Sequence, residues 1–555
     1  MRTISTKFED WCLPSPVVWL VVWAAYCVVA PLLSWGDETN ALSKMLHGPF
    51  EPTIQSLEQH QTPDWFRDAK FGIYTHWGPV AVGTAQQAPG QSDCWYGRYM
   101  YIPGLAGPQA PGHIPSRTTF EDHRKHFGDP ATNGFKDLIP LFKAEHFNAE
   151  AWADLFEQSG AKFAGPVVIH HDNFAMWDSQ VTRWNAVKMG PKRDITGELE
   201  RAIHKRGMKF VAAMHHAMTW CFYEPAFAYD ARDPQYSDLY GDPHPLANQD
   251  LSLDWCQVQW TPPSERFVRE WLAKCDELVD KYKVDLLWHD AAMDHIPEPV
   301  RLGMEAHFYN RAAEQRREVV LTYKGNDLPK GTAVIDFERS AATSILPMPW
   351  LTDTSVGHNF WFYDSGDANC FTTGELVRML IDIVSKNGCL LLNVAPGPDG
   401  TISQKQSDTL LDIGRWLKQN GEAIYGTRPW KIFGEGPNLN GGSGDSAAQT
   451  LKYSPQDIRF TSKGDAVYAL VLAMPQGALK ITSLGKGAKL ADKPVARVEL
   501  VGSDQKLAWT QEADALVVQV PNALPREHAL VIRVDFGAPG QRGSSLSSPN
   551  SEDSR

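Results

Sequence analysis

Paired cysteines, metal-ligand spacings, internal repeats and a surplus of positive charge are all missing from this 555-residue chain. Each absence removes a class of function. Two of the eight cysteines, Cys12 and Cys27, fall near the N-terminus, and Cys94, Cys221, Cys256, Cys275, Cys370 and Cys389 are scattered, with no Cys-x-x-Cys pair. That excludes a small disulfide scaffold and a zinc knuckle. One or two disulfides fit an exported chain, and the spacing does not pair them. No His-x-His or His-Glu-x-x-His occurs. The adjacent pairs His170-His171 and His215-His216 suit a catalytic metal poorly, because neighbours on a strand point to opposite faces. No metal and no cofactor are expected. Lys and Arg number 53 against 66 Asp and Glu, a net charge of −13. A nucleic-acid partner, which needs clustered Lys and Arg, is therefore not expected.

Long apolar runs are also scarce. The one that stands out spans Val17 to Leu33, follows Arg2 and Lys7, and gives way to the polar Gly36-Asp37-Glu38-Thr39. It is short for a membrane span and long for a signal peptide. An export signal over residues 1–36 is the preferred reading and an uncleaved anchor the alternative, so a membrane enters only if this segment is retained. Tyr26 before Cys27 makes a poor lipidation site.

What remains is globular: 43% hydrophobic and 21% charged residues, with length enough for two or three domains. Twenty Trp are unusually many, and they suit either a core or a concave site that stacks on sugar rings. Val284-Asp285-Leu286-Leu287-Trp288-His289-Asp290 reads as a buried parallel strand with a carboxylate at its C-terminal end. Before it, Ser264 is placed to cap a helix in which Val268, Trp271, Leu272, Cys275, Leu278, Val279 and Tyr282 recur at helical spacing. The same strand–helix–strand rhythm returns along the chain. Strands end at His76-Trp77, at His170-His171-Asp172, at His215-His216, near Tyr323, at Asp336-Phe337-Glu338-Arg339, and at Asn393-Val394-Ala395. Seven strands are legible. Ionisable groups at successive strand ends predict a (β/α) barrel over residues 37–428 with its active face at the strand C-termini. From Pro429 helical periodicity stops and short β-prone runs follow, which predicts an antiparallel β-sandwich over 429–537. Gly441–Gly444 reads as a linker, and 538–555 as a Ser-, Gly- and Pro-rich disordered tail.

Neutral imidazoles, indole N–H groups and a carboxylate suit polyol recognition. Asp290 then calls for a second carboxylate, since glycoside hydrolysis divides acid and nucleophile or base between two. Glu338 is the candidate. Pairing with Arg339 is its structural alternative, and Glu305 and Glu375, both in helical patterns, are the fallbacks.

The motifs together resemble the α-L-fucosidases of glycoside hydrolase family 29. They are Lys70-Phe71-Gly72-Ile73 with His76-Trp77-Gly78, Trp95-Tyr96 with Arg98 and Met100-Tyr101, and His170-His171-Asp172 with Trp177-Asp178-Ser179. Trp184-Asn185, Gly190-Pro191-Lys192-Arg193-Asp194, Trp288-His289-Asp290 and Asp382–Gly388 follow in order, then Leu391-Leu392-Asn393-Val394 and Gly421–Tyr425. The resemblance implies an exo-acting retaining enzyme on fucosylated glycans, built as a barrel followed by a β-sandwich. It implies Asp290 as nucleophile, Glu338 as acid/base, and a fucose pocket of His76, Trp95, His170, His171 and Trp288. His215 lies near a pocket position that varies in the family. Cys94 departs from the family, which has glutamate there. That difference leaves open a catalytically weak fucoside-binding homologue or an enzyme for a modified, for instance sulfated, fucose.

Overall fold

The computed structural model describes residues 48–104, 118–246, 261–358, 360–367, 369–439, 445, 450–521 and 528–537. The N-terminal apolar run, the Gly441–Gly444 patch and the tail lie outside the described residues. Strand β1 (Phe71–Thr75) pairs in parallel with β2 (Phe163–Ile169) on one side and β8 (Gly388–Val394) on the other. Between them β3 (Lys209–Met214), β4 (Leu286–His289), β5 (Val320–Lys324), β6 (Val334–Asp336) and β7 (Trp350–Ser355) follow in chain order, so the sheet closes as an eight-stranded parallel barrel.

Seven of these strands are the runs read from sequence. The eighth, β7, is an addition. Its Thr352, Asp353, Thr354 and Ser355 are all buried, which an apolar-run rule passes over. They are tolerated inside because each finds a partner. Thr352 donates to the Phe337 and Ser340 carbonyls, Thr354 to Asp445, and Ser355 accepts from Asn393. Strand β6 is also shorter than read: it stops at Asp336, and Glu338 stands two residues beyond it.

The helices that cover the barrel form where apolar stripes and caps agree. They are α1 (Asp64–Ala69), α2 (Ala149–Gln158), α3 (Ile195–Lys205), α4 (Glu265–Lys281), α5 (Glu298–Glu314), α6 (Thr373–Ser385) and α7 (Gln404–Asn420). The Ser264 side chain accepts from the Phe267 amide and caps α4, which buries Trp271, Cys275, Leu278 and Val279. Glu375 closes a capping box with Thr372 at the start of α6, which is why it serves no site. Among the described residues no helix lies between β5 and β6 or between β6 and β7. The outer wall there is open, and a cleft of about 510 Å³ forms beside Tyr309, Tyr323 and Phe337. Glu305 is buried behind it on α5, accepting from Thr332, and is not at the strand ends. No helix among the described residues is long and apolar enough to cross a membrane.

Beyond the barrel, β9 (Arg428–Glu435), β10 (Ile458–Lys463), β11 (Ala466–Val471), β13 (Val495–Leu500) and β16 (Leu530–Phe536) form a five-stranded sheet. It faces a three-stranded one of β12 (Ala478–Ile481), β14 (Ala508–Gln511) and β15 (Leu516–Gln519). Alternation on β11 explains how this sandwich is held. Val467, Ala469 and Val471 enter the sandwich core, while Tyr468 and Leu470 join the barrel core. At that seam the buried Arg459 of β10 donates to Asp382 of α6 at 2.6 Å, and Lys386 reaches the other oxygen at 2.7 Å. Burial opposes the Asp382 charge, but the two cations outweigh it and hold its carboxyl below the usual range.

Candidate functional site

The barrel brings the strand ends to one mouth. His76, Cys94, Trp95, His170, His171, His215, Trp288, Asp290 and Glu338 line a single pocket there, joined by Met218, Lys324, Asp353 and Trp361. The first-choice catalytic and sugar-binding residues read from sequence all lie in this pocket, and the fallbacks Glu305 and Glu375 do not.

His76 follows β1 directly, and both its backbone amide and its Nδ1 lie within 2.9 Å of Asn393 Oδ1. Asn393 uses its Nδ2 on Ser355 and the Trp361 carbonyl, so its Oδ1 is the acceptor and His76 Nδ1 carries the proton. His76 Nε2 is then a lone pair, 3.1 Å from His215 Nε2, which therefore donates. His171 Nδ1 donates to the His215 carbonyl at 2.7 Å, which turns its Nε2 toward Asp290 Oδ2 at 3.5 Å. His170 Nδ1 and His215 Nδ1 are buried without a hydrogen-bond partner among the described residues. Burial depresses all four rings, His76 to about 3 and His170 and His215 well below their ordinary value, so they are neutral. Neutral rings with unused nitrogens can donate to or accept from hydroxyls. His76, His170 and His215 also bring three nitrogens within 4.8 Å of one another.

The strand rule misplaced one pair and placed the other. Strand β2 ends at Ile169, so His170 and His171 lie past the pleat and both face the pocket. His215 also faces it, whereas His216 turns outward against Trp271 of α4.

Asp290 stands just past β4, its amide donating to the Met214 carbonyl at 3.0 Å. The group that sequence reading missed is Lys324, the last residue of β5. Its ammonium is 3.0 Å from Asp290 Oδ1, 2.7 Å from Glu338 Oε2 and 3.4 Å from Asp353 Oδ1, and it sits over the Trp288 ring at 4.7 Å. Burial alone would neutralise Lys324, but Asp353, Glu338, Asp290 and Asp336 outweigh it and raise its pKa well above the ordinary lysine value. Conversely, burial would raise the Asp290 pKa, and Lys324, with His171, overcomes that and lowers it. Asp290 is held ionised.

Beneath them Asp336 and Asp353 form a buried pair. Tyr74 donates to Asp353 at 2.8 Å, and Trp288 Nε1 donates to Asp336 at 2.8 Å. Burial raises both carboxyls; the charge of Asp353 adds to the rise at Asp336, and that of Glu338 to the rise at Asp353. The Trp288 indole N–H is thus engaged below, and what it offers the pocket is its ring face. The Arg339 guanidinium, weighed above as a partner for Glu338, pairs with Asp445 at 2.6 Å and stacks over Trp361 at 4.2 Å.

Cys94 opens into the pocket as a thiol that burial, with Asp93 nearby, keeps protonated. Asp93 does not replace it: its carboxylate accepts from the Trp95 amide and from Thr119. The five described cysteines, Cys94 among them, are all unpaired.

Known proteins resemble this chain along most of its length. Residues 39–422 match the α-L-fucosidase family and residues 452–535 match the α-L-fucosidase C-terminal domain. Plasma α-L-fucosidase of Homo sapiens is 31% identical over 484 residues, covering 85% of this chain and 88% of its own. Tissue α-L-fucosidase of Bos taurus is 28% identical over 504 residues, covering 87% and 91%. The crystal structure of Thermotoga maritima α-fucosidase in complex with fucose superposes with a TM-score of 0.66 at 26% identity, covering 87% of this chain and 100% of that one.

Proposed function

The chain belongs to the α-L-fucosidases of glycoside hydrolase family 29 and is a glycoside hydrolase, and from that premise we propose a retaining mechanism on terminal α-L-fucosyl residues, with Asp290 as nucleophile and Glu338 as acid/base. One observation carries the stereochemical part. Asp290 Oδ1 and Glu338 Oε2 both touch the Lys324 ammonium. Those two oxygens are therefore no more than about 5.7 Å apart, below the roughly 6.5–9.5 Å between carboxyls that leaves an inverting pair room for its water.

In the first step Asp290 attacks the anomeric carbon while Glu338 gives its proton to the glycosidic oxygen, and the aglycone leaves. An ester joins Asp290 to fucose. Glu338, now a carboxylate, takes a proton from water, which attacks the same carbon and releases fucose with its configuration kept. Lys324 touches both carboxyls, so the negative charge lost at Asp290 on ester formation reappears at Glu338 beside the same ammonium. The cation then meets nearly constant charge throughout, which keeps reorganisation small. The neutral histidines and the Trp95 and Trp288 rings would receive the sugar's hydroxyls and apolar face.

Cys94 favours a second reading of the substrate. A neutral thiol is a weak hydrogen-bond partner, so one sugar hydroxyl lacks a charged acceptor there, and a fucose substituted at that position would fit as well as the free sugar. Export is the companion proposal for the N-terminal segment, in keeping with the plasma and tissue relatives.

The test is fucose release from an aryl α-L-fucoside by wild type and Asp290→Ala, with the first-formed anomer read by NMR. Turnover with retention that collapses in the variant supports the assignment. First release of the opposite anomer would overturn the mechanism, and equal release by both proteins would overturn the nucleophile. If wild type releases nothing, the same assay on substituted fucosides decides between a modified substrate and a binding role.

A further inference from the structure

Outside the pocket, a second group of side chains has no part in the reaction. Past β3, the short helix Thr219–Phe222 runs into a 3₁₀ turn over Glu224–Ala228. Cys221 and Glu224 are three residues apart there, close enough in helical phase to project to one side. His244 comes in opposite them. One donor atom from each, the Cys221 sulfur, a Glu224 carboxylate oxygen and a His244 ring nitrogen, lie within 4.8 Å of one another. All three side chains are shielded: Cys221 and Glu224 are each 2% exposed, and the His244 side chain 8%.

The hydrogen bonding of this trio does not close. His244 is fixed by Trp220, whose ring stacks on it at 4.1 Å and 9°. Its Nδ1 is 3.0 Å from the Asp242 carbonyl, which can only accept, so Nδ1 carries the hydrogen. In the neutral ring, Nε2 is then a lone pair, and it faces Glu224 Oε1 at 3.2 Å, another acceptor. The second carboxylate oxygen, Oε2, is buried with no hydrogen-bond partner among the described residues. Arg98, the cation behind this turn, does not supply what is missing. Its Nη1 donates instead to the Cys221 and Phe222 carbonyls at 2.7 and 3.0 Å. The Cys221 thiol turns to Glu224, and a proton on His244 would repair the Nε2 contact but still leave Oε2 without a partner among the described residues. A cation among the three donors answers all of them.

We propose that Cys221, Glu224 and His244 form a structural binding site for one divalent cation of the zinc class. The donor set decides the class. Thiolate and imidazole with one carboxylate suit Zn²⁺ and its neighbours, whereas Ca²⁺ and Mg²⁺ take oxygen cages. Water completes the tetrahedron. The Nδ1–H donation to a backbone carbonyl is the outer contact that commonly orients a metal-bound histidine. Binding replaces the Cys221 thiol proton, which leaves to solvent, and no electrons move. The site acts on the pocket through Phe222, which lies between Cys221 and Glu224 in sequence and packs on His171 at 5.5 Å and Trp95 at 5.8 Å. A cation there pins the turn that backs the sugar pocket. This proposal is independent of the retaining mechanism.

The experiment is metal binding by the full chain, first stripped with a chelator and then dialysed against Zn²⁺ or Co²⁺. Elemental analysis is expected to find about one Zn²⁺ retained per chain, and the Co²⁺ form to show the near-ultraviolet charge-transfer band of a thiolate ligand. Cys221→Ser and Glu224→Gln are expected to weaken Zn²⁺ by more than about 100-fold, and Cys221→Ser to abolish the band, with near-ultraviolet circular dichroism reporting that each variant is folded. His170→Ala, which dismantles the histidine trio of the pocket, is expected to leave both readouts intact. Wild type that retains no Zn²⁺, or a Co²⁺ spectrum without the thiolate band, would overturn the proposal whether or not the variants fold. So would Zn²⁺ that persists in Cys221→Ser and disappears in His170→Ala, since the pocket histidines would then be the site.

Discussion

Replacing Lys324 by Met removes one buried charge and keeps most of the side-chain volume. The ammonium stands 3.0 Å from Asp290, 2.7 Å from Glu338 and 3.4 Å from Asp353. At an effective dielectric of about 20, a pair of charges this close interacts by roughly 5 kcal/mol before desolvation is set against it. The net effect of an adjacent cation on a carboxylate is smaller, about 1–3 pKa units. Among the groups that oppose burial, Lys324 lowers the Asp290 pKa most, so its loss raises it and leaves only His171 and the Ala291 amide against burial. The acid limb of kcat/KM, where Asp290 must be ionised to attack, is therefore expected to move up by about 1–3 pH units. Lys324→Arg, which keeps the charge, is expected to hold the limb near its wild-type position. The assay is the pH dependence of kcat/KM on an aryl α-L-fucoside for all three proteins, each checked for folding. An acid limb that stays put in Lys324→Met would refute the claim that Lys324 holds the nucleophile ionised.

Three further outcomes follow from the same structure. Glu338→Ala is expected to lose about 10²–10⁴ in kcat/KM on a fucoside with a poor leaving group and far less on a 4-nitrophenyl fucoside, which departs without a proton; equal losses on both would remove Glu338 as the acid. Arg459→Met breaks the buried contact with Asp382 at the seam between barrel and sandwich while Lys386 still pairs with that carboxylate, and a cost of about 1.5–3 kcal/mol should appear as a lowered unfolding midpoint, with an unchanged midpoint counting against that contact. His204 opposes burial through Asp285 at 2.7 Å and Glu200, and its pKa is pushed up to about 9. The folded state therefore binds this proton more tightly. Its stabilisation is complete below the unfolded value near 6.5 and fades as pH rises from there through 9. The loss is at most about 3 kcal/mol, less after solvent screening, and denaturant melts of His204→Gln should lack that decline.

The Asp290 end of β4 was legible because Leu286-Leu287-Trp288 is continuously apolar and then stops at an ionisable residue, a contrast that survives without any neighbours in view. The histidines were legible for the same reason. Lys324 was not. A lysine before Gly325 at a strand end reads as a solvated turn, and what buries it is three carboxylates from the end of β4, from β7 and from the segment after β6, brought together only by closure. Strand β7 hid behind its own polarity, since Thr-Asp-Thr-Ser is acceptable in a core only when Tyr74, Asn393, Asp445 and the Phe337 carbonyl are there to satisfy it. The Cys221, Glu224 and His244 group left no spacing signal, because the histidine lies 20 residues beyond the glutamate and meets it only through the fold.

With Asp290 as nucleophile, the proposed mechanism passes through a covalent bond from Asp290 to fucose beside Glu338 and Lys324. A slow substrate, 2-deoxy-2-fluoro-fucosyl fluoride, is incubated with the wild-type enzyme, and the protein is digested and mapped by mass spectrometry. One fluorofucosyl group per active chain is expected, carried by the peptide containing Asp290, with the ester on that side chain. A label on Glu338, Asp353 or any other residue, or an active enzyme that accumulates none, would contradict it.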